Sequence, residues 1–229
     1  MSTFVLIHGA GSEGWYWHLV VPILRAHGHD CVAPDLPCDD DAAGLNEYAD
    51  TVVDAIGDRS DLILVAQSLA GFTAPLVADR LPVRMIILVA AMVPLPGEPP
   101  GAWWANTGWE EARRAQRSGT DQGADIDVER DFFHDVPPDV KQATFARGER
   151  GQSSTPMERP WPLAAWPDVP TRFLLCRDDR FFPADFMRRV VRERLGITPD
   201  EMDGGHLPAL AHPRELADRL LAYDRELRM

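Results

Sequence analysis

Leu62-Ile63-Leu64-Val65-Ala66-Gln67-Ser68-Leu69-Ala70-Gly71 is the stretch on which the reading of this chain turns. Its unbroken apolar start is the composition of a strand buried on both faces, as in a parallel sheet covered by helices. The strand ends at a serine, after which Leu69, Phe72, Leu76 and Val77 recur at helical spacing. The segment therefore reads as strand, sharp turn and helix, with a hydroxyl at the apex. Ala66 and Ala70 stand two positions to either side of it. Small residues are needed there because the turn draws the strand and helix backbones so close that larger side chains would collide. The serine sits at a helix N-terminus, where free N–H groups favour developing negative charge. By itself, small-x-Ser-x-small is expected roughly once by chance in a chain of this size. Its position on a strand-to-helix junction is what gives it weight.

Working outward, six short apolar runs predict strands at 3–8, 30–33, 62–66, 84–89, 172–176 and 197–202. Segments of helical period separate them. Trp17, Val20, Val21 and Leu24 lead to a stop at Gly28, and Tyr48, Val52, Val53 and Ile56 to a stop at Gly57. Phe186, Met187, Val190 and Val191 end near Gly196, and Pro213 opens a last helix through Leu216 and Leu220. This alternation predicts an α/β fold: one domain over 1–229, with a mostly parallel sheet of about six strands flanked by helices. The stretch 94–167 breaks the rhythm with Pro, Gly, charge and Trp, and is too long for a simple loop. It is expected to be an inserted helical lid, with helices at 128–133 and 140–145.

With 229 residues, 45% of them hydrophobic, the chain can bury one substantial core. A net charge of -13 leaves no broad basic surface for phosphates, so nucleic acid is not an expected partner. No basic leader and no 18-residue apolar run stands in the sequence, which predicts a cytoplasmic protein without a membrane partner. Cys31, Cys38 and Cys176 are odd in number and lack metal-ligand spacing, so neither a disulfide framework nor a metal site is expected. The expected partner is a small-molecule substrate, and self-association as a homodimer is left open.

Three more strand ends carry chemistry. The first runs into His8-Gly9-Ala10-Gly11, a glycine-bearing turn whose Ala10 N–H, with that of Leu69, could hold an oxyanion. The fifth opens onto Arg177-Asp178-Asp179-Arg180-Phe181-Phe182-Pro183, which offers two candidate acids. The sixth ends in Asp203-Gly204-Gly205-His206-Leu207-Pro208, placing a histidine on a glycine turn. Open α/β sheets hold functional groups at the C-terminal ends of their strands. Each signal is modest; their joint occurrence in the order Ser, Asp, His is not, because that order marks one particular arrangement of the hydrolytic triad.

On these residues, together with Trp15, Trp17, Gly28-His29 and Pro34-Asp35-Leu36, the chain resembles the α/β-hydrolase superfamily over essentially its full length. Within it, the resemblance is to the branch of plant methyl esterases, hydroxynitrile lyases and small bacterial hydrolases. That resemblance implies Ser68 as nucleophile, His206 as base, Ala10 and Leu69 as oxyanion donors, and no cofactor. It also chooses Asp179 as the acid, because the family's acid stands four residues before a proline, here Pro183. Alanines replace the usual glycines beside the nucleophile, and Cys176 replaces a frequent glycine. The lyases' threonine and lysine are missing, since Gly9 and Leu207 occupy those places. The implied activity is hydrolysis of a small apolar or aromatic ester. The alternatives are carbon–carbon bond, lactone or lyase chemistry on the same triad, and a receptor-like binding protein. Of the aromatic residues in and near the 94–167 stretch, Trp103, Trp104, Phe133, Trp161 and Phe182 are the expected pocket lining.

Overall fold

The computed structural model describes residues 1–117 and 125–228. Six parallel strands form one sheet: β1 (Thr3–Ile7), β2 (Asp30–Val32), β3 (Leu62–Gln67), β4 (Val83–Val89), β5 (Thr171–Cys176) and β6 (Asp200–Met202). Their spatial order is β2-β1-β3-β4-β5-β6. Every pairing is parallel, with Ile7 beside Ala66 and Ala66 beside Leu88.

Strand alternation feeds two cores. Val5, Ile7, Leu62, Leu64, Ile86, Leu88, Phe173 and Leu175 point to one side of the sheet. Phe4, Leu6, Ile63, Val65, Ile87, Val89, Leu174 and Cys176 point to the other. The first side is covered by α2 (Leu45–Ile56), α3 (Ala74–Ala78) and α9 (Ala184–Leu195). The second is covered by α1 (Val21–Ala26) and α11 (Pro213–Glu226). Burial on both faces is why these strands read as continuous apolar runs. Gly196 closes α9 with φ +69°, a left-handed conformation that costs a glycine little.

Between β4 and β5 the chain forms α4 (Pro100–Thr107), α5 (Trp109–Gln116), α6 (Val128–Phe132), α7 (Pro138–Ala146) and α8 (Thr155–Glu158). The two helices expected here coincide with α6 and α7. Two other expectations change. The helix after Ser68 is split into a 3-10 turn (Ser68–Gly71) and α3, with Pro75, which has no N–H to donate, in the first turn of α3. The last strand starts at Asp200 rather than 197, since Pro199 cannot join the ladder as a donor. Short α10 (Pro208–Ala211) follows the His206 turn.

The chain leaves β1 outward to β2, returns across β1 to β3, and then proceeds in one direction. The sheet order therefore reverses between β1 and β3. Just beyond the C-terminal ends of those two strands lies the crevice that such a reversal leaves open to a ligand.

Candidate active site

Ser68 stands on that crevice, held at φ +54° by the turn from β3 into the 3-10 turn. A non-glycine residue in this region is strained, at a cost of about 1–3 kcal/mol, and persists only when its surroundings over-determine it. Here they do. Met92 N–H donates to the Ser68 carbonyl at 2.9 Å, and Gly71 lies so close to β4's exit that an added Cβ would fall 1.8 Å from Met92 O. Ala66 and Ala70 are both buried, and Gly9 faces Ser68 with room for a hydrogen only: a Cβ there would lie 2.8 Å from Ser68 Cβ.

His206 Nε2 lies 3.1 Å from Ser68 Oγ, and His206 Nδ1 lies 2.8 Å from Asp179 Oδ2. The carboxylate fixes the tautomer: Nδ1–H donates to Asp179 and leaves Nε2 free to accept the serine proton. Asp179 is 1% exposed, and its second oxygen accepts Phe181 N–H and Phe182 N–H, each at 2.8 Å. Asp178 has a different place. Its N–H donates to Gly204 O at 3.0 Å and its carboxylate accepts Gly204 N–H at 3.1 Å, so it braces the turn that carries the histidine. Gln67 Nε2 donates to His206 O at 3.0 Å. Three phenyl rings, from Phe132, Phe181 and Phe182, stand edge to face with the imidazole, at centroid distances of 5.3, 5.0 and 4.9 Å.

The turn after β1 is ordered by His8, which is fully buried. Nδ1–H donates to Gly9 O at 2.8 Å while Nε2 accepts Leu36 N–H at 3.0 Å, a pattern that only neutral imidazole can make. Burial, opposed in part by the bond to Gly9, lowers its pKa to about 4. Gly11 N–H is committed to Gln152 Oε1 at 3.0 Å. Among the described residues the N–H groups of Ala10 and Leu69 have no such partner. Both residues border the same cavity as Ser68.

That cavity, of about 180 Å³, is walled mainly by Met92, Trp104, Phe132, Met157 and Phe181. Of the five residues expected to line it, Trp104 does. Trp103 is fully buried with Nε1–H on Val93 O, and Trp161 is core with Nε1–H on Phe72 O. Phe182 backs the imidazole from within the core, and Phe133 packs on Phe145. Phe181 and Met92 were not among the expected residues. Both leave the C-terminal end of a sheet strand, as Ser68 and Asp179 do, and that position is the signal that could have found them. A larger polar cavity of about 630 Å³ is bordered by Arg130, Asp135, Asp178 and His212, with no serine, threonine or cysteine among the described residues of its lining.

A parallel sheet that brings a strained serine, a histidine and a carboxylate together at its switch point is the frame of a hydrolytic enzyme of the α/β class. The match agrees with that frame: residues 4–219 fit the model of the Alpha/beta hydrolase family, and the chain belongs to that family. Norfluorocurarine synthase 1 of Strychnos sp is 23% identical over 93% of this chain and 91% of its own. Methylesterase 2 of Arabidopsis thaliana is 23% identical over 96% of this chain and 94% of its own. The crystal structure of a pyrethroid hydrolase from Sphingobium faniae superposes with TM-score 0.75 at 23% identity, covering 97% of this chain and 96% of that one. Among the described residues no helix is long and apolar enough to cross a membrane.

Proposed function

We propose that this chain is a serine esterase whose nucleophile is Ser68, whose base is His206 and whose acid is Asp179. The observation that carries the reading is the unbroken hydrogen-bonded series Asp179–His206–Ser68, with spacings of 2.8 and 3.1 Å, ending on the apolar cavity. His206 takes the hydroxyl proton as Oγ attacks the ester carbonyl, and Asp179 holds the resulting imidazolium in line. The N–H groups of Ala10 and Leu69 receive the oxyanion, a contribution on the order of 3 kcal/mol for each donor. His206 then protonates the departing alcohol, and water repeats the sequence to release the acid. The β4–β5 helices serve as the lid, with Trp104, Phe132 and Met157 excluding water from the acyl group. A cavity of about 180 Å³ with mostly apolar walls suits a small, uncharged aliphatic or aromatic acyl group. Esterase names among the relatives support the same chemistry.

The test is hydrolysis of short p-nitrophenyl esters by the protein beside Ser68→Ala. The variant should lose turnover by roughly 10⁶-fold. Turnover that survives the substitution removes Ser68 as nucleophile.

A further inference from the structure

The turn that carries His206 is anchored from outside the sheet by one carboxylate. Asp135 lies between α6 and α7, in the β4–β5 segment. Its Oδ2 accepts Gly205 N–H at 2.6 Å, one residue before His206, and faces His212 Nε2 at 3.5 Å. Its Oδ1 is buried without a hydrogen-bond partner, 3.9 Å from His134 Nε2, which is buried in the same condition.

The fit is close enough to account for two glycines. A Cβ on Gly205 would lie 2.6 Å from His134 Nε2 and 2.8 Å from Asp135 Oδ1. One on Gly204 would lie 2.4 Å from the His212 ring and 3.3 Å from Asp135 Oδ2. Gly205 is thus the seat for the His134-Asp135 turn, while Gly204, at φ +106°, makes room for the His212 ring that Asp135 faces. Other anchors on this turn come from the sheet's own connections, through Asp178 to Gly204 and Gln67 to the His206 carbonyl. Among the described residues, the Asp135 bond is the one hydrogen bond between the β4–β5 segment and residues 203–207. Three residues before Asp135, Phe132 borders the cavity and stands against the His206 ring. One short stretch therefore touches both the substrate space and the peptide that sets the imidazole's position.

We infer that Asp135 is a positioning residue: through Gly205 N–H it ties the seating of the α6–α7 turn to the alignment of His206 with Ser68. The inference rests on the serine-hydrolase reading above. With the bond gone, the Gly204-Gly205 turn relaxes and Nε2 drifts from Oγ, while Met92, Trp104, Met157 and Phe181, carried by other segments, keep most of the acyl cavity in place. A displacement near 1 Å at reacting atoms can cost about 100-fold in rate.

The experiment is steady-state hydrolysis of a short p-nitrophenyl ester by the full chain and by Asp135→Ala, Asp135→Ser and Asp135→Asn, with Ser68→Ala alongside. Asp135→Ala should lower kcat by about 10- to 100-fold with KM within about twofold. Asp135→Asn keeps an oxygen at the right reach for Gly205 N–H and should restore most of kcat. Asp135→Ser, too short to reach that N–H, should follow Ala and carries the test if the alanine variant does not fold. An unchanged kcat in Ala or Ser, a loss confined to KM, or Asn no better than Ala overturns the proposal. Activity retained by Ser68→Ala would instead overturn the serine-esterase reading, so the two failures are distinct.

Discussion

At the scale of single residues, two neighbouring aspartates of identical chemistry have separate tasks because of what their carboxylates meet. Asp179 accepts from the imidazole and from two main-chain N–H groups; Asp178 accepts from Gly204 N–H. Asp179→Asn should lower kcat on p-nitrophenyl esters by about 10⁴-fold, through the wrong imidazole tautomer. Asp178→Asn keeps an acceptor for Gly204 and should lower it far less; the reverse ranking would reassign the acid. His8 gives a pH prediction. Its pKa of about 4 in the fold lies below the value near 6.5 of an unfolded chain, so between those values the unfolded state binds the extra proton. The stabilisation it brings is complete above about pH 6.5, is lost progressively as the pH falls from there, and is gone below about pH 4. Urea unfolding should show about 2 kcal/mol of this loss between about pH 7 and pH 5. His8→Gln should be less stable near neutrality and show a correspondingly shallower dependence over the same interval.

At the scale of elements, the junction after β3 shows how a local sequence is fixed by a neighbouring strand. Gly71 is in a 3-10 turn where many residues have suitable dihedral angles, yet the carbonyl of Met92, leaving β4, occupies the space of its missing Cβ. Gly71→Ala should therefore cost at least 1–3 kcal/mol, the usual penalty for overfilling a packed interior, and should displace Ser68 through the Met92–Ser68 hydrogen bond. Thermal unfolding and ester turnover should both fall; a variant as stable and active as the parent would show that the contact relaxes easily. Strand boundaries were legible to within a residue or so for β1 to β5, because apolar runs of this kind have few other uses. The helices α4 and α5 were not. In α4 the adjacent Trp103 and Trp104 face the core and the cavity, so no single apolar stripe marks it, and the short α5 offers the core only Trp109 and Ala112 among charged residues.

For the molecule as a whole, a sheet of parallel strands separates stability from chemistry. The C-terminal edge carries Ser68, Asp179 and His206, while the opposite edge carries a polar knot that ties the entry of β1 and the start of β4 to α11. Ser2 Oγ–H donates to Asp224 Oδ1 at 2.5 Å, Arg228 Nε lies 2.9 Å from Asp224 Oδ2, and Arg84 reaches the same carboxylate from the start of β4. Asp224 is 3% exposed, so removing its charge leaves Arg84 and Arg228 without their shared counter-charge. Asp224→Ala should cost about 1–2 kcal/mol in urea unfolding, since both arginines keep contact with water, with kcat/KM unchanged where the variant is folded. A matching loss of kcat/KM would mean the two edges are coupled.

The alternation of strand and helix, the parallel sheet that follows from it, and the order in which Ser68, Asp179 and His206 meet the ends of their strands are all written into the linear chain. Those are carried by local composition and period, which a linear reading can detect. Tertiary packing alone assigned Asp178 to the Gly204 turn, Trp103, Trp161 and Phe182 to the core, Phe181 and Met92 to the cavity wall, and Gly205 to the Asp135 turn. In each of these cases neighbours in sequence have the same polarity and differ only in direction. Direction is set by packing against residues distant along the chain, as Gly71 against Met92 and Gly205 against Asp135 show.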